Sequence, residues 1–342
     1  MAIIEQLYAT CQVIHEGKLT DPFQVQTGVR QGCLLSSTIF LMVVDWIMRQ
    51  STANQKTGIQ WTFTKHLEDL NFADDISLLS HRQQHAQEKL ERVATEAEKT
   101  GLQINTEKTE LLRINNKQQD SVRLQQEEIK EVDKFTYLGS VVSKDGGADD
   151  DIKSRTNKAR HAFRTLQSIW RSSALSLHNK IRIFNTNVKS VLLYGSETWR
   201  TTKTNRNILQ TFVNRCLRNI LNIRWPDVIS NEDLWRRTNQ TSVEEDIKKR
   251  KWGWIGHTMR KPPSNATRQA LDWNPQGKRK AGRPRQTWRR STDAEVKAAG
   301  MTWAELKRIF QNRVRWRPYA PERSQRHKSS KSNPLYKSFF HE

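Results

Sequence analysis

Cysteine is scarce in this chain of 342 residues, which holds only Cys11, Cys33 and Cys216. They form no C-x-x-C pair, so the sequence excludes a disulfide framework and a zinc finger and favours a reducing compartment. Long apolar runs are also missing, since no stretch approaches the roughly 20 residues that span a bilayer. The first residues lack the charged-then-apolar pattern of a signal peptide. We therefore expect an intracellular protein with no membrane partner.

Acidic residues are scarce in the second half of the chain. Residues 1–150 hold 16 basic and 22 acidic residues, whereas residues 151–342 hold 42 basic and 14 acidic ones together with ten of the twelve tryptophans. Basic and aromatic side chains together suit a surface that neutralises phosphates and stacks on bases. The alternative is a solvated basic surface around a core of tryptophans.

The first half predicts an alternation of strands and helices. Residues 23–27 alternate like a half-buried strand and enter a glycine-containing loop at residues 28–32. The following helix has candidate N-caps at residues 36–38 and is apolar almost all round, which predicts burial. Residues 82–100 predict a second helix, and residues 111–114 a strand. This order predicts an α+β layer, an antiparallel sheet with helices on one face.

Two adjacent carboxylates, Asp74 and Asp75, lie between two short apolar segments. Successive side chains of a strand point to opposite faces, so neighbouring acids serve one site only where the backbone turns. The sequence therefore predicts a β-hairpin with both acids at its tip. Carboxylate and phosphate oxygens are ligands that Mg²⁺ prefers, which indicates phosphoryl transfer with two metal ions.

The pattern changes near residue 146. A glycine turn precedes three aspartates at residues 149–151, where the macrodipole of a starting helix favours negative charge. Three amphipathic helices are predicted to form a bundle core. Their apolar positions are Ile152, Ala159, Phe163, Leu166 and Trp170; Ile181, Phe184, Val188 and Leu192; and Ile208, Phe212, Cys216, Leu217 and Ile220. Beyond residue 261, helix breakers and basic runs predict a partly disordered extension with one late helix, between Trp303 and Trp316.

Four motifs in order resemble the palm of reverse transcriptases from non-LTR (LINE-type) retrotransposons. They are residues 28–36 followed by Phe40 and Asp45, residues 72–75, residues 101–105 followed by Lys108 and Thr109, and residues 135–139. The resemblance continues through residues 190–199 and 252–257. It implies three regions: a reverse transcriptase palm at residues 1–145, an α-helical thumb-like region at 146–260, and a basic nucleic-acid-binding extension at 261–342.

The resemblance also implies roles for individual residues. Asp74 would bind both Mg²⁺ ions, and Asp75 would support the site. Gln31 and Gly32 would lie near the incoming nucleotide and the template. Lys108 corresponds to a lysine at the leaving pyrophosphate, although an ordinary surface lysine is an equal alternative. The implied partners are an RNA template, a DNA primer or target, and a dNTP.

A primer grip is implied for Tyr137, Leu138 and Gly139. The resemblance further implies an aspartate on a strand upstream of residue 28, but no acid of residues 1–27 has the expected aromatic–Asp pattern. Asp69 lies an odd number of residues before Asp74 and is predicted to face the other way. We therefore expect a palm truncated at its N-terminus and an isolated chain without activity.

Basic residues of the second half are candidates for contacts with a nucleic-acid backbone. They are Arg236, Arg237, Lys248, Lys249, Arg250, Lys251, Lys278, Arg279, Lys280, Arg283 and Arg285. The last five resemble a minor-groove hook and also a nuclear import signal, which favours a nuclear protein. Of Trp252 and Trp254, one is expected to pack and the other to contact nucleic acid. The alternative function is that of a non-catalytic RNA- or DNA-binding protein derived from a retroelement.

Overall fold

The computed structural model describes residues 8–25, 28–30, 32–53, 55–61, 65–114, 120–273 and 287–316. The chain divides into two compact units, Met1–Leu138 and Gly139–Glu342. The first unit mixes short strands with two long helices, and the second is almost entirely helical. The α+β class predicted from the sequence is confirmed. The division into palm, thumb-like region and basic extension stays a prediction.

The two long helices of the first unit pack against each other. They are α1, Leu34–Thr52, and α2, Gln83–Glu98. Their shared core consists of Val44, Ile47 and Met48 from α1 and Val93 and Ala97 from α2. The helix predicted over residues 82–100 is therefore present, and Gly101, with a positive φ, follows three residues after its last residue.

The start and the surroundings of α1 differ from the prediction. Its N-cap is Cys33 rather than any of residues 36–38. The predicted burial on all sides is wrong, because Leu41, Met42 and Trp46 are 48%, 66% and 43% exposed. Only one face of α1 is therefore covered by the described residues.

The described strands of the first unit are short and mostly pair two by two. Antiparallel ladders join β1 (Thr10–Cys11) to β4 (Phe23–Gln24), β2 (Ile14–His15) to β3 (Lys18–Leu19), β5 (Ile59–Gln60) to β6 (His66–Leu67), β7 (Asp69–Phe72) to β8 (Asp75–Leu78) and β10 (Arg123–Leu124) to β11 (Glu127–Glu128). β9 (Glu110–Leu112) pairs in parallel with β12 (Lys130–Val132), and β13 is Lys134–Tyr137. In place of the single antiparallel sheet that we expected, the described part of this unit has separate ladders, one of them parallel.

The second unit is a succession of helices after one strand, β14 (Ser140–Ser143). The helices are α3 (Asp149–Thr165), α4 (Gln167–Arg171), α5 (Leu177–Ile183), α6 (Ser190–Leu192), α7 (Lys203–Ile220), α8 (Asn231–Thr238), α9 (Val243–Met259), α10 (Ala266–Asp272), α11 (Trp288–Ala298), α12 (Trp303–Gln311) and α13 (Arg313–Trp316). The π-helical residues Phe184–Lys189 connect α5 to α6. The helix predicted across this stretch therefore continues through one wider turn.

The predicted bundle core is present in the second unit. Phe184, Val188 and Leu217 are fully buried, in one cluster with residues of α3 and α7. Ile208, predicted for the same core, is 49% exposed instead. The apolar stripe of α7 is thus narrower than its sequence indicated.

A second core lies farther along the same unit. Trp252 of α9 packs with Leu306, Phe310 and Trp316, which come from the region predicted to be partly disordered. The single late helix that we expected is two helices, and Val314 is 74% exposed. Residues 274–286 and 317–342 of the predicted extension lie outside the described residues. Among the helices that the structure describes, none is long and apolar enough to cross a membrane.

Candidate functional site

The two adjacent acids lie at the tip of a hairpin. β7 and β8 pair with Phe72 opposite Asp75, which leaves a two-residue loop of Ala73 and Asp74. Ala73 has a φ of +53°, in the left-handed region that tight hairpin turns require. Both acids are exposed to solvent. The position predicted for them from the flanking apolar segments is correct.

The hairpin has one covered and one open face. Ile76 and Leu78 pack against the core of α1 and α2. Residues opposite each other in an antiparallel pair share a face, so Asp75 lies on the same side as Phe72. Phe72 and Leu70 are 64% and 42% exposed. The acidic tip therefore belongs to the open side of the hairpin.

Tyr137, predicted for the primer grip, contacts this hairpin. Its hydroxyl donates a hydrogen bond of 3.0 Å to the carbonyl oxygen of Leu70. Burial raises the pKa of Tyr137, and the negative charges of Asp75 and Asp69 raise it further. The structure thus brings a motif more than 60 residues away in sequence beside the acidic pair.

The turn after Tyr137 is built from two residues with positive φ, Leu138 at +48° and Gly139 at +78°. Gly139 begins the second unit, where its carbonyl oxygen accepts a hydrogen bond of 2.7 Å from Arg155. A Cβ at position 139 would lie 3.3 Å from the donating nitrogen. A glycine suits this position because of both its φ and its close neighbour.

The other predicted residues of the site are not joined to the acids by described contacts. Gln31 lies outside the described residues. Gly32 is exposed, with a φ of +84°. Lys108 is exposed, and its backbone N–H donates to the side chain of Asn105 at 2.9 Å. The roles of these three residues stay predictions.

Sequence reasoning missed a buried lysine that holds the open end of the hairpin. The Lys89 ammonium, on α2, lies 2.7 Å from the Glu68 carboxylate and donates to the carbonyl oxygens of Glu68 and Leu79 at 2.9 and 2.6 Å. These carbonyls directly precede β7 and follow β8. Burial lowers the pKa of Lys89, while the hydrogen bond and charge of Glu68 act in the opposite direction. The sequence did contain one indication of this role, because Lys89 lies next to Leu90 on the side of α2 that is buried.

The acids offer the oxygen ligands that Mg²⁺ prefers, so Asp74 and Asp75 could hold an ion at the tip. Among the described residues, however, no group of three or more His, Cys, Asp or Glu side chains could hold a metal. The donor set therefore fits one exposed, weakly held ion better than a closed site for two.

The predicted phosphate-binding residues have different environments. Arg236 and Arg237 are exposed on α8, and Arg236 pairs with Asp233. On α9, the Lys248 ammonium lies 3.4 Å from the Glu244 carboxylate, and Arg250 donates to the backbone carbonyl of Leu193. Lys249 is only half-buried. Outside the described residues lie Lys278, Arg279, Lys280, Arg283 and Arg285.

One member of this set was assigned wrongly. Lys251 is 5% exposed and pairs with Glu295 of α11 at 2.5 Å. Burial lowers its pKa, although the charge of Glu295 opposes this. Its ammonium is buried against the Glu295 carboxylate, which leaves it little surface for a phosphate.

Both tryptophans of α9 pack inside the second unit. Trp252 is 1% exposed and donates to the Glu295 carboxylate at 2.8 Å. Trp254 is half-buried and meets Trp288 edge to face. The expectation that one packs is met by Trp252, while Trp254 offers only part of its surface to a partner.

The motif at residues 190–199 has a structural role in the second unit. Trp199 is buried and donates its indole N–H to Asp151 at 2.8 Å. Asp151 also accepts the N–H of Val141 at 2.9 Å, and the Arg155 guanidinium lies 4.1 Å above the Tyr194 ring. These contacts connect the start of α3 to the segment after α6.

Comparisons with known proteins find a family match over the segment that contains the acidic hairpin. Residues 1–142 match the family "Reverse transcriptase (RNA-dependent DNA polymerase)", and residues 162–194 match a domain of unknown function, DUF6451. A transposon-derived protein of Caenorhabditis elegans is 26% identical over 243 residues, which cover 68% of this chain and 86% of that protein. The first unit is therefore similar to reverse transcriptase domains, and about two thirds of the chain resembles a transposon-derived protein.

Proposed function

We propose that the first unit is the palm of a reverse transcriptase from a non-LTR retrotransposon, with RNA-directed DNA synthesis as its reaction. The observation that supports this most directly is the hairpin turn that exposes Asp74 and Asp75 together. It lies inside the segment that is similar to reverse transcriptases.

In this proposal Asp74 and Asp75 would hold Mg²⁺, which would neutralise charge during nucleotidyl transfer from a dNTP to the primer 3′-hydroxyl, with pyrophosphate as the leaving group. Gln31 and Gly32 position the nucleotide and template, and Lys108 neutralises the leaving pyrophosphate. Tyr137, Leu138 and Gly139 grip the primer. The hydroxyl of Tyr137 supports the last role, because it ties the grip segment to the strand that leads to the acids.

The small donor set bears on the rate expected from this chain. Two-metal phosphoryl transfer needs carboxylates on both ions, and the described residues bring no third acid to the pair. We therefore expect metal-dependent nucleotide binding, with primer extension only at background.

The test combines nucleotide binding with extension. The chain is given an RNA template, a DNA primer and dNTPs with or without Mg²⁺, and both readouts are repeated with Asp74→Ala. We expect Mg²⁺ to strengthen dNTP binding in the wild type and not in the variant. Primer extension above background that Asp74→Ala abolishes would also support the polymerase, but it would contradict the expectation that this chain extends primers only at background. Absence of both Mg²⁺-dependent binding and extension would contradict the proposal.

A second candidate function is a non-catalytic RNA- or DNA-binding protein. It is favoured by the excess of 28 positive charges in residues 151–342. Salt-sensitive binding of nucleic acid without Mg²⁺-dependent nucleotide binding would support this function in place of the first.

A further inference from the structure

A basic pocket of about 570 Å³ is lined mainly by residues of α7. Its lining includes Thr211, Asn214, Arg215, Arg218, Ile223 and Asn231, and none of its described lining residues is acidic. Residues 203–226, which contain α7 and the turn after it, hold five basic residues and no acidic one. The pocket therefore suits an anionic group.

The walls of the pocket are held by a hydrogen-bond network. Asn214 is 5% exposed, and its side-chain oxygen accepts from Gln210 and Trp235, each at 2.8 Å. The side-chain nitrogen of Asn214 donates to the side-chain oxygen of Asn231 at 3.0 Å, and Arg218 donates to that Asn231 oxygen at 2.8 Å. The same Arg218 nitrogen, Nη2, also donates to the Ile229 carbonyl at 3.4 Å, so Arg218 is fixed through Nη2 while Nε and Nη1 make no hydrogen bond with a described residue.

Arg215 adds a second guanidinium one helical turn before Arg218. It is exposed and makes no ion pair or hydrogen bond through its side chain with a described residue. The nearest acids along the chain are Asp227, Glu232 and Asp233, and Asp233 accepts hydrogen bonds from Ser230 and Arg236. None of these acids lines the pocket, so the described lining carries positive charge only.

An exposed tryptophan lies shortly after the α7 residues of the pocket in the sequence. α7 ends in a turn in which Asn222 has a φ of +56° and the N–H of Ile223 donates to the Arg218 carbonyl at 2.9 Å. Ile223 packs on the core and lines the pocket, and Trp225 comes two residues later, with its Cα within about 7 Å of that of Ile223. Trp225 is 92% exposed, which is unusual for so large an apolar side chain.

We propose that the pocket and Trp225 form a binding site for single-stranded nucleic acid. Arg215 and Arg218 contact a backbone phosphate, and Trp225 stacks on a neighbouring base, a combination that binds single strands without reading sequence. This site would be one place where the proposed reverse transcriptase contacts its nucleic acid. The choice of nucleic acid as the partner rests on the proposed function. A duplex fits less well, because its bases are already stacked.

The test measures equilibrium binding of the full chain to single-stranded RNA, single-stranded DNA and a duplex. We expect Trp225→Ala to weaken single-strand binding roughly 5- to 150-fold and to leave duplex binding unchanged, since stacking contributes about 1–3 kcal/mol per base. Arg215→Gln should lower single-strand affinity and reduce the slope of log K against log salt by about 0.7. A loss with RNA, DNA or both supports the site and identifies its strand.

Two matched variants control for the loss of a tryptophan and of a charge. Trp46→Ala removes a partly exposed tryptophan of the first unit, and Arg308→Gln removes an exposed arginine of α12. Neither should change binding. All four positions are exposed, so thermal unfolding should match the wild type.

Several outcomes would overturn the proposal. One is single-strand binding that Trp225→Ala leaves unchanged, and another is an equal loss for single strand and duplex. Displacement of the strand by inorganic phosphate, with no effect of Trp225→Ala, would identify a simple anion site. Each of these can occur while Mg²⁺-dependent nucleotide binding persists, so failure of this site is distinguishable from failure of the proposed polymerase.

Discussion

Two cysteines of this chain have opposite environments and should react differently. Cys33 is exposed at the start of α1, where hydrogen bonds from the Tyr8 hydroxyl and the N–H groups of Leu35 and Ser36 lower its pKa to about 7. Burial raises the pKa of Cys216 to about 12. We expect Cys33 to be alkylated at a rate that rises through pH 7, because the thiolate is the reactive form. Cys216 should stay unmodified in the folded protein.

The measurement is the rate of iodoacetamide labelling against pH, assigned by peptide mass spectrometry. Tyr8→Phe removes the largest cause of the lowered pKa, so the midpoint of Cys33 labelling should move to higher pH. Labelling of Cys33 with the pH profile of an ordinary thiol would contradict the predicted thiolate.

At the residue scale, positions set by neighbouring residues could be predicted from the sequence, whereas contacts between residues far apart in the sequence could not. Asp74 and Asp75 were predicted at a hairpin tip because their flanking segments already determine where the chain turns. Lys251 was predicted to contact a nucleic-acid backbone because it belongs to a run of four basic residues, 248–251. Its partner, Glu295, is 44 residues away, and nothing near Lys251 in the sequence indicates that pairing.

At the scale of elements, the acidic hairpin depends on Lys89 of α2. Lys89→Met removes three hydrogen bonds and leaves the Glu68 carboxylate without its cation. Removing one partner of a buried ion pair costs about 3–5 kcal/mol, so we expect a loss of that order in the first unit. Urea unfolding gives the loss in free energy, and hydrogen exchange should show faster exchange of the β7 and β8 amides.

A matched lysine on the same helix provides the control. Lys99 at the end of α2 pairs with Glu96 but is 56% exposed, so Lys99→Met should cost only about 0–1 kcal/mol. Adding Glu68→Gln to Lys89→Met should restore part of the stability, because no unpaired charge then remains. Equal effects of the two lysine substitutions would show that the hairpin does not depend on this clamp.

The same scale shows why α1 was predicted only in part. Its apolar residues correctly indicated a helix with a buried face. The exposed side chains of Leu41, Met42 and Trp46 show that apolar character alone does not determine burial. The helix start was misplaced because Ser36 bonds back to the Arg30 carbonyl at 2.6 Å and Cys33 takes the cap. That turn depends on backbone geometry rather than on cap propensity.

At the scale of the whole molecule, the two structural units carry net charges of opposite sign. The first unit, residues 1–138, holds 15 basic and 19 acidic residues (net −4), and the second unit, residues 139–342, holds 43 basic and 17 acidic ones (net +26). A polyanion should therefore be attracted by the second unit, while the acidic hairpin of the first repels it unless cations are present. This division favours binding through the second unit in either proposed function.

The salt dependence of binding tests which basic residues contribute. Each phosphate that a cation neutralises on a single strand adds about −0.7 to the slope of log K against log salt. We therefore expect substitution of Lys278, Arg279, Lys280, Arg283 and Arg285 by glutamine to make the slope less negative by roughly 3 to 4, if all five contact phosphates. Affinity of the full chain for a single-stranded RNA, measured from low to high salt, gives the slope.

A variant with the same net charge separates location from total charge. It replaces five basic residues that are exposed in the first unit, namely Lys18, Lys56, Arg82, Arg123 and Lys130. Both variants lose the same net charge, so the long-range attraction of the strand falls equally in both. Counterions are released only where basic residues contact the strand, so the salt slope changes only when contacting residues are replaced. We expect the slope of this control to stay near that of the wild type. Equal slopes for the two variants would mean that the residues from 278 to 285 do not contact the strand, and affinity independent of salt would exclude phosphate contacts by the second unit altogether.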